Sequence, residues 1–300
     1  MSGALLAVVN PAAGGGRCGK LVGPALDRLR AAGIQLEVAE TRYPGHGSEL
    51  AREAYKAGQR RFLAVGGDGT SYEIVNGLFP GAESGERPTL AFLPLGTGNS
   101  FLRDFTDRGA EYATRALLEG RSRTCDVLRM THRDGVIHYL NLLSMGFTAN
   151  VAALTNRRFK SLGEFGYLLG VFLCLLRLRR EAFPLRVDGE PKWDRRRCLF
   201  LTFNNSKFTG GKMMIAPQAD PTDGLVEFVR WGPIGRLGLL ANLRRLYDGS
   251  HVAHPLASRR AARRIEFALE GPVDVMVDGE VRTLDCRALD VLPAALEVAI

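Results

Sequence analysis

One stretch of this sequence places an aspartate, a threonine and three glycines directly after an apolar run. It reads Phe62-Leu-Ala-Val-Gly-Gly-Asp-Gly-Thr70, and a helical pattern of apolar residues follows it. We interpret it as a buried strand, a tight turn and a helix start, because glycine lets the backbone turn sharply and approach a ligand. The N–H groups of a helix N-terminus favour phosphate oxygens. A carboxylate among them, Asp68, requires a cation, so the stretch predicts a site where metal and phosphate meet.

The helix that follows is expected to begin at Thr70, which stands where an N-cap residue would stand. The next helix upstream is predicted over Ser48–Ala57, with Ser48 as its N-cap.

The first loop of the chain half-matches two other nucleotide motifs. Gly14, Gly16 and Gly19 fit the dinucleotide fingerprint, with Glu40 as the acid that would bind a ribose. Gly14 and Gly19-Lys20 also fit a phosphate loop, but Leu21 stands where a serine or threonine must hold magnesium. Neither alternative explains the glycine-aspartate stretch.

The elements that carry these loops alternate between strands and helices, which is typical of a parallel α/β sheet. The predicted strands are Leu5–Val9, Ile34–Ala39, Phe62–Val65 and Thr89–Leu93. Ligands of such sheets bind beyond the carboxyl ends of the strands. We therefore expect the loops at 10–20, 41–48, 66–70 and 94–100 to open on one edge.

From about Thr124 the pattern changes to short strands joined by Asp-Gly turns. The strands are predicted over Cys125–Met130, Val136–Leu143, Phe183–Val187, Cys198–Phe203, Leu225–Arg230, Ile265–Leu269, Val273–Val277 and Ala288–Leu292, with helical insertions over Gly163–Arg180 and Pro233–Tyr247. The predicted fold is an α/β domain over residues 1–125 and a β-sandwich domain over residues 126–300, with the site between them.

Composition narrows the choice of partner. The chain has 300 residues, 46% of them hydrophobic, and a formal charge of +8. Residues 126–300 hold 25 Lys and Arg against 19 Asp and Glu, so most of the basic excess lies there. This favours phospholipid headgroups as a partner, and we expect no nucleic acid. Five scattered cysteines without metal spacing indicate reduced thiols and a cytoplasmic protein.

Several motifs occur in a fixed order along nearly the whole chain. They are Asn10-Pro11 with Gly14–Gly16, Gly66-Gly-Asp-Gly-Thr-x-x-Glu73-x-x-Asn76-Gly77, Leu95-Gly-Thr-Gly-Asn99, Tyr139-Leu-Asn141 with Gly146-Phe147, Gly210-Gly211 with Ala216-Pro217, Asp223-Gly-Leu225 and Asp278-Gly-Glu280. In this order they resemble the diacylglycerol kinase catalytic-domain family, which includes soluble bacterial lipid kinases and sphingosine kinases. The resemblance implies ATP- and Mg²⁺-dependent phosphorylation of a lipid hydroxyl, with diacylglycerol or a related lipid alcohol as substrate.

The resemblance also implies roles for individual residues. Glu280 corresponds to the family's general base, with Asp68 as the alternative base or as the residue that holds the nucleotide's magnesium. A magnesium site is implied at Asp220, Asp223 and Leu225. Ser100 departs from the family, many members of which have aspartate there. The implied nucleotide contacts are Asn10, Pro11, Ala12, Ala13, Gly14, Thr41, Gly66, Gly67, Asp68, Gly69, Thr70, Glu73, Gly96, Thr97 and Asn99.

The segment Gly163–Arg180 carries apolar residues before a basic end and could face lipid. With the basic clusters of the second half, it predicts peripheral contact at the inner face of the membrane. A helix packed on the β-domain is the alternative. A homodimer is also compatible with the sequence. Two other functions stay open, an NAD kinase-like enzyme and a non-catalytic nucleotide- or lipid-binding regulator.

Overall fold

The structure is a computed structural model that describes residues 4–96, 98–106, 109–158, 163–210 and 212–300. For residues 156–157, 163–168 and 171 it describes the backbone alone. Thr97, a predicted nucleotide-binding residue, and Gly211 therefore lie outside the described residues.

The first half alternates strands and helices, as predicted. Its elements are β1 (Leu5–Val9), α1 (Arg17–Ala31), β2 (Leu36–Glu40), α2 (His46–Lys56), β3 (Arg61–Gly66), α3 (Asp68–Leu78), α4 (Gly81–Ser84), β4 (Thr89–Pro94), a 3-10 turn (Phe101–Asp104) and α5 (Gly109–Glu119). All five residues of β1 are buried, because helices cover both faces of a parallel sheet.

The second half is rich in strands. Its strands are β5 (Ser122–His132), β6 (Gly135–Tyr139), β7 (Leu142–Gly146), β8 (Glu181–Ala182), β9 (Leu185–Val187), β10 (Arg197–Cys198), β11 (Phe200–Asn204), β12 (Phe208–Thr209), β13 (Met213–Met214), β14 (Val226–Trp231), β15 (Ala257–Ala262), β16 (Arg264–Phe267), β17 (Val273–Val277), β18 (Glu280–Leu284) and β19 (Cys286–Ala299). Its helices are α6 (Phe147–Arg158), α7 (Gly163–Leu176), α8 (Arg236–Asn242) and α9 (Arg245–Asp248).

Three predicted elements differ from the structure, and one of them, the strand predicted over Cys198–Phe203, is divided between β10 and β11. The prediction of one strand over Val136–Leu143 is wrong, because the structure has two strands there, β6 and β7. The break occurs where the amides of Leu140, Asn141 and Leu142 donate to the carboxylate of Asp278 instead of a neighbouring strand. The predicted helix at Pro233–Tyr247 is two short helices, α8 and α9.

Within the described residues the strands form two large sheets. The first has nine strands in the order β2-β1-β3-β4-β19-β16-β9, with β5 paired to β19 and β6 paired to β5. The strands β1 to β4 pair in parallel, and β19 joins β4 in parallel through Glu297 and Val298. The second sheet is antiparallel, in the order β15-β14-β11-β7-β17-β18. The predicted fold class, parallel α/β followed by a β-sandwich with helical insertions, is confirmed.

The cores follow this arrangement. One apolar cluster lies between the two sheets and includes Leu128, Phe203 and Val275. Two others lie on the two faces of the parallel strands. The predicted domain boundary at residue 125 falls inside β5, which pairs with β19 along most of its length, and the boundary stays a prediction.

Candidate active site

The floor of the site is made of glycines after β3 and β4. The amide of Gly96 donates to the carbonyl of Gly66 at 2.8 Å. A β-carbon at Gly96 would lie 2.6 Å from the α-carbon of Gly67, closer than real contacts allow. Only glycine permits this approach, so the two predicted phosphate-binding loops touch along their backbones.

The first Gly-rich loop packs on this floor. The amide of Asn10 donates to the carbonyl of Val65 at 3.0 Å, and the side chain of Asn10 accepts the amide of Ala12 at 3.1 Å. Gly14 has φ +64°, and its neighbourhood includes the carbonyl of Leu95. The loop after β1 thus packs against the end of β3 and the loop after β4, as the sequence predicts. Pro11 and Ala13 lie in this loop between Asn10 and Gly14.

The start of α3 differs from the sequence expectation. The helix begins at Asp68 with Gly67 as its N-cap residue, so the prediction of Thr70 as N-cap is wrong. The amide of Thr70 donates to the carbonyl of Gly67, which places Thr70 inside the first turn. Its hydroxyl is buried and has no hydrogen-bond partner among the described residues. The likewise predicted N-cap of α2, Ser48, lies within that helix, which Gly45 caps.

Asp68 is the half-buried acid at this helix start. Its carboxylate accepts the amide of Ser100 at 2.8 and 3.0 Å, and Asn99 before it has φ +52°. Burial raises the pKa of Asp68, and the hydrogen bonds from Ser100 oppose that rise. Ser100, which departs from the family pattern, therefore orients Asp68 with its backbone.

Glu73 serves the neighbouring loop. Its two carboxylate oxygens accept the amides of Gly45 and Gly47 at 2.8 and 2.9 Å. The same loop begins at Thr41, whose amide donates to the carbonyl of Val9 at 2.8 Å. Glu73 thus holds the fourth loop on the edge where the other three converge, and its direct contact with a nucleotide stays a prediction.

Glu280 enters the site from the second half of the chain. It is exposed at the start of β18, and a β-carbon at Gly69 would lie 3.4 Å from its Oε1. A carboxylate from the sandwich therefore stands at the first turn of α3, next to Asp68. Nothing in the sequence between these two residues, which lie about 200 positions apart, gives this distance.

Asp278 belongs to the site. From the sequence it is predicted only as a turn residue. It is 5% exposed and accepts the amides of Leu140, Asn141 and Leu142 at 2.9 to 3.0 Å. Burial, together with the negative charge of Asp68, raises its pKa to about 7. An Asp-Gly pair in a hairpin is typical of an ordinary turn, so no local pattern predicts the buried position of this carboxylate.

Tyr72 and Arg282 complete the wall between α3 and β18. Burial raises the pKa of Tyr72, while the charge of Arg282 and a hydrogen bond with it act in the opposite direction. Asn76, one turn further along α3, bonds the backbone of His138 through both ends of its amide, at 2.7 and 3.0 Å. These contacts fix α3 against β6 and β18, the strand at whose start Glu280 lies.

The predicted metal loop lies elsewhere in the second half. The carboxylate of Asp220 accepts hydrogen bonds from the amide and the hydroxyl of Thr222. The carboxylate of Asp223 accepts the amide of Leu225 at 2.9 Å. A buried acid that we did not predict, Asp126, accepts the amide of Gly224 at 2.7 Å. The hydrogen bonds described for this loop link it to Asp126 and to itself, and they do not reach Asp68 or Glu280.

The chemistry of this loop suits a hard cation. Burial raises the pKa of both Asp126 and Asp223, and the negative charge of Asp220 adds to each shift. A divalent cation would relieve this repulsion through oxygen ligands. Among the described residues no group of three His, Cys, Asp or Glu side chains is arranged to hold a metal. Magnesium here would thus depend on main-chain oxygens and water beside Asp220 and Asp223.

Comparisons with known sequences agree with this geometry. Residues 4–130 match the diacylglycerol kinase catalytic domain, and residues 141–300 match the YegS C-terminal NAD kinase beta sandwich-like domain. A diacylglycerol kinase of Mycobacterium tuberculosis (strain ATCC 25618 / H37Rv) is 26% identical over 299 residues, covering 99% of this chain and 94% of the relative. One from Staphylococcus aureus (strain MRSA252) is 28% identical over 280 residues, covering 91% and 84%.

Solved structures share the fold. A crystal structure of a diacylglycerol kinase from Bacillus anthracis str. Sterne aligns with a TM-score of 0.69 and 20% identity, covering 99% of this chain and 96% of that one. A second structure from the same organism gives a TM-score of 0.77 and 22% identity, with 99% and 94% covered. These likenesses concern the fold.

Proposed function

Because the chain belongs to the diacylglycerol kinase catalytic-domain family and is a kinase, we propose that it transfers the γ-phosphate of ATP to the hydroxyl of diacylglycerol. One observation carries this proposal: the carboxylate of Glu280 stands at the first turn of α3, the helix that begins directly after Gly66 and Gly67 of the glycine floor. Backbone that can bind the phosphates of ATP and a carboxylate that can accept a proton thereby lie at one place.

The phosphates of ATP would lie on the glycine floor. The loops after β1, β3 and β4 bring backbone together without side chains at Gly66, Gly67 and Gly96. α3 begins at Asp68, directly after these glycines, and the free amides of a helix N-terminus bind anionic oxygens. The unpartnered hydroxyl of Thr70 adds a hydrogen-bond donor.

The lipid hydroxyl would attack from the side of the sandwich. Its oxygen forms a bond to the γ-phosphorus, the bond from that phosphorus to the bridging oxygen of ADP breaks, and Glu280 accepts the hydroxyl proton. The position of Glu280 beside Gly69 supports this role, because the acceptor oxygen must stand between the carboxylate and the phosphate.

Magnesium would be held near the phosphates by Asp68 and, at a separate structural position, by Asp220, Asp223 and the carbonyl of Leu225. When bound beside the nucleotide, it neutralises the charge of the phosphate oxygens. Asp68 suits this role because its half-buried carboxylate is fixed by the Ser100 amide and faces the same loops.

The proposal predicts which substrates and residues matter. Purified protein would receive labelled ATP with a short-chain, water-dissolved diacylglycerol, with sphingosine, or with NAD. Label is expected in diacylglycerol. Glu280→Gln should lower kcat by at least about 100-fold, the usual contribution of a general base. Asp68→Asn should lower it as strongly, because the nucleotide's cation loses a ligand.

The matched control is Glu37→Gln, an exposed glutamate on the edge strand β2. It should keep the turnover of the unchanged protein, and all variants should keep its circular dichroism spectrum. Label on NAD alone would refute lipid phosphorylation. Near-full turnover by Glu280→Gln would refute the base assignment and leave Asp68 as the candidate.

A further inference from the structure

Four large apolar side chains are exposed where α7 ends and α8 begins. Phe172 and Leu176 on α7 are 55% and 49% exposed, and Leu237 and Leu240 on α8 are 82% and 49% exposed. Phe172 and Leu176 are four residues apart and Leu237 and Leu240 are three apart, so each pair lies on one side of its helix. We call these four residues the α7–α8 face.

The two helices present this face together. The side chain of Arg236, the first residue of α8, donates to the carbonyl of Leu176, the last residue of α7, at 2.5 Å. The opposite sides of both helices are packed, because Leu175 and Leu239 belong to the apolar cluster around Trp231. The four exposed residues therefore lie on the outer side of two helices whose inner sides are packed against the protein.

Arginines follow α7 directly in the chain and line a groove beyond its end. This groove of about 940 Å³ is lined by Arg179, Arg180, Arg195 and Arg197, together with the acids Glu181, Glu270 and Asp274. Arg180 joins the groove to α8, because its guanidinium donates to the carbonyl of Ile234 at 3.3 Å. Among the described residues no ion pair involves Arg177, Arg179, Arg195 or Arg197. Their charges are available to a partner.

We propose that the α7–α8 face and its arginines dock the protein on an anionic phospholipid bilayer. Apolar side chains on one side of a helix insert at the boundary between headgroups and acyl chains, and a basic rim attracts anionic headgroups. A purely apolar protein partner would leave the unpaired arginines without counter-charges, which favours a lipid surface. The inference rests on the proposed lipid kinase function and names where that enzyme meets its membrane.

The docking surface is separate from the catalytic groups. In the antiparallel sheet, α8 follows the end of β14 at Trp231, which pairs with Phe200. Asp278 binds the opposite end of the sheet, at Leu142, which pairs with Asn204. Five residues of β11 separate these ends, roughly 15 Å at the usual rise of a strand. Substitutions in the docking surface should therefore leave the chemistry intact.

Vesicle sedimentation of the full chain tests the docking surface. The protein is mixed with vesicles of phosphatidylcholine alone or with about a third of phosphatidylglycerol, without ATP or substrate. It should pellet with the anionic vesicles at least tenfold better than with the neutral ones, and raising the salt from about 0.1 to 1 M should abolish much of that difference.

Two double variants separate the apolar and basic contributions. Leu237→Glu with Leu240→Glu, and Arg179→Glu with Arg195→Glu, should each weaken binding to anionic vesicles at least tenfold. The matched controls are Leu118→Glu on α5, where the leucine is 47% exposed, and Arg28→Glu on α1. Both controls should bind as the unchanged protein does.

Phosphorylation of water-dissolved short-chain diacylglycerol distinguishes docking from chemistry. Both double variants should keep their turnover of this substrate while losing turnover of diacylglycerol in anionic vesicles. Equal vesicle binding by variants and unchanged protein would overturn the docking surface. So would a dimer that the leucine variant dissociates without loss of vesicle binding, because the face would then be a subunit interface. No turnover of dissolved diacylglycerol by the unchanged protein would instead overturn diacylglycerol as the proposed substrate.

Discussion

At the scale of single residues, the site places three carboxylates around the start of α3, each with a different environment. Asp68 is half-buried and held by the Ser100 amide, Asp278 is buried and held by three amides, and Glu280 is exposed at Gly69. The exposed acid is the one free to exchange a proton with a substrate. The negative charges of Asp68 and Asp278 repel each other, so the charge state of this pair affects stability.

Replacing Asp278 with asparagine should flatten the dependence of stability on pH. Its pKa is raised to about 7, above that of an unfolded chain, so the folded protein holds the proton more tightly. The stability that this provides is present below about pH 4 and is lost as pH rises through 7. The free energy of unfolding should fall by on the order of a few kcal/mol between pH 4 and 8 in the unchanged protein.

Urea unfolding at several pH values measures this difference. Asp278→Asn should be less stable overall, since asparagine cannot accept all three amides, but its stability should change less with pH. The exposed turn residue Asp134, changed to asparagine, is the control and should keep the unchanged slope. An identical slope in Asp278→Asn would show that another group carries the dependence.

At the scale of elements, α3 is positioned by one close helix crossing and one polar clamp. The clamp is Asn76 on the backbone of His138. The crossing is at Gly77, where a β-carbon would lie 2.3 Å from the carbonyl of Ser48 and 2.8 Å from the β-carbon of Ala51. α2 and α3 therefore approach more closely than any side chain would permit, and Glu73 holds the loop before α2 from the same helix.

Gly77→Ala should separate α2 from α3. Overpacking of this kind costs about 1–3 kcal/mol, and the shift should also raise the KM for ATP because Glu73 and its loop move. The control is Gly23→Ala in α1, where a β-carbon meets nothing within 4 Å. Alanine there should be neutral or stabilising by up to about 1 kcal/mol. Thermal unfolding measures the stability of both variants, and ATP kinetics measure their KM. An unchanged Tm for Gly77→Ala would contradict the close approach of α2 and α3 at this residue.

Sequence predicted the elements better than their junctions. The alternation of strands and helices, the four converging loops and the sandwich are confirmed, because periodicity and glycine turns are local signals. The break between β6 and β7 could not be predicted, since it depends on Asp278, far along the chain. Thr70 looked like an N-cap because local propensity cannot show that Gly67 already fills that position. The contact of Glu280 with Gly69 depends on how the two sheets meet.

At the scale of the whole molecule, β19 ties the two halves together. Its early residues pair with β16 and β5 in the sandwich region, and its last residues pair with β4 in the parallel sheet. The two halves therefore share one strand and one continuous sheet. No helix of the described chain is long and apolar enough to cross a membrane.

The shared strand predicts cooperative unfolding of both halves. Both tryptophans, Trp193 and Trp231, lie in the second half, so their fluorescence reports that half while circular dichroism reports both. The two signals should give coincident urea transitions in the full chain. Deleting residues 295–300 should separate them, whereas a pair of transitions in the full chain would mean independent domains.

The pairing of β4 with β19 also bears on how the protein is made. Thr89 leaves the ribosome about 200 residues before its partner Glu297, which at ~5–20 residues per second is on the order of 10–40 s. Until then one edge of the nascent parallel sheet has no neighbour, and such an edge can pair with other chains. The yield of folded enzyme in cells should therefore depend on translation speed and on chaperones that cover this edge until β19 is made.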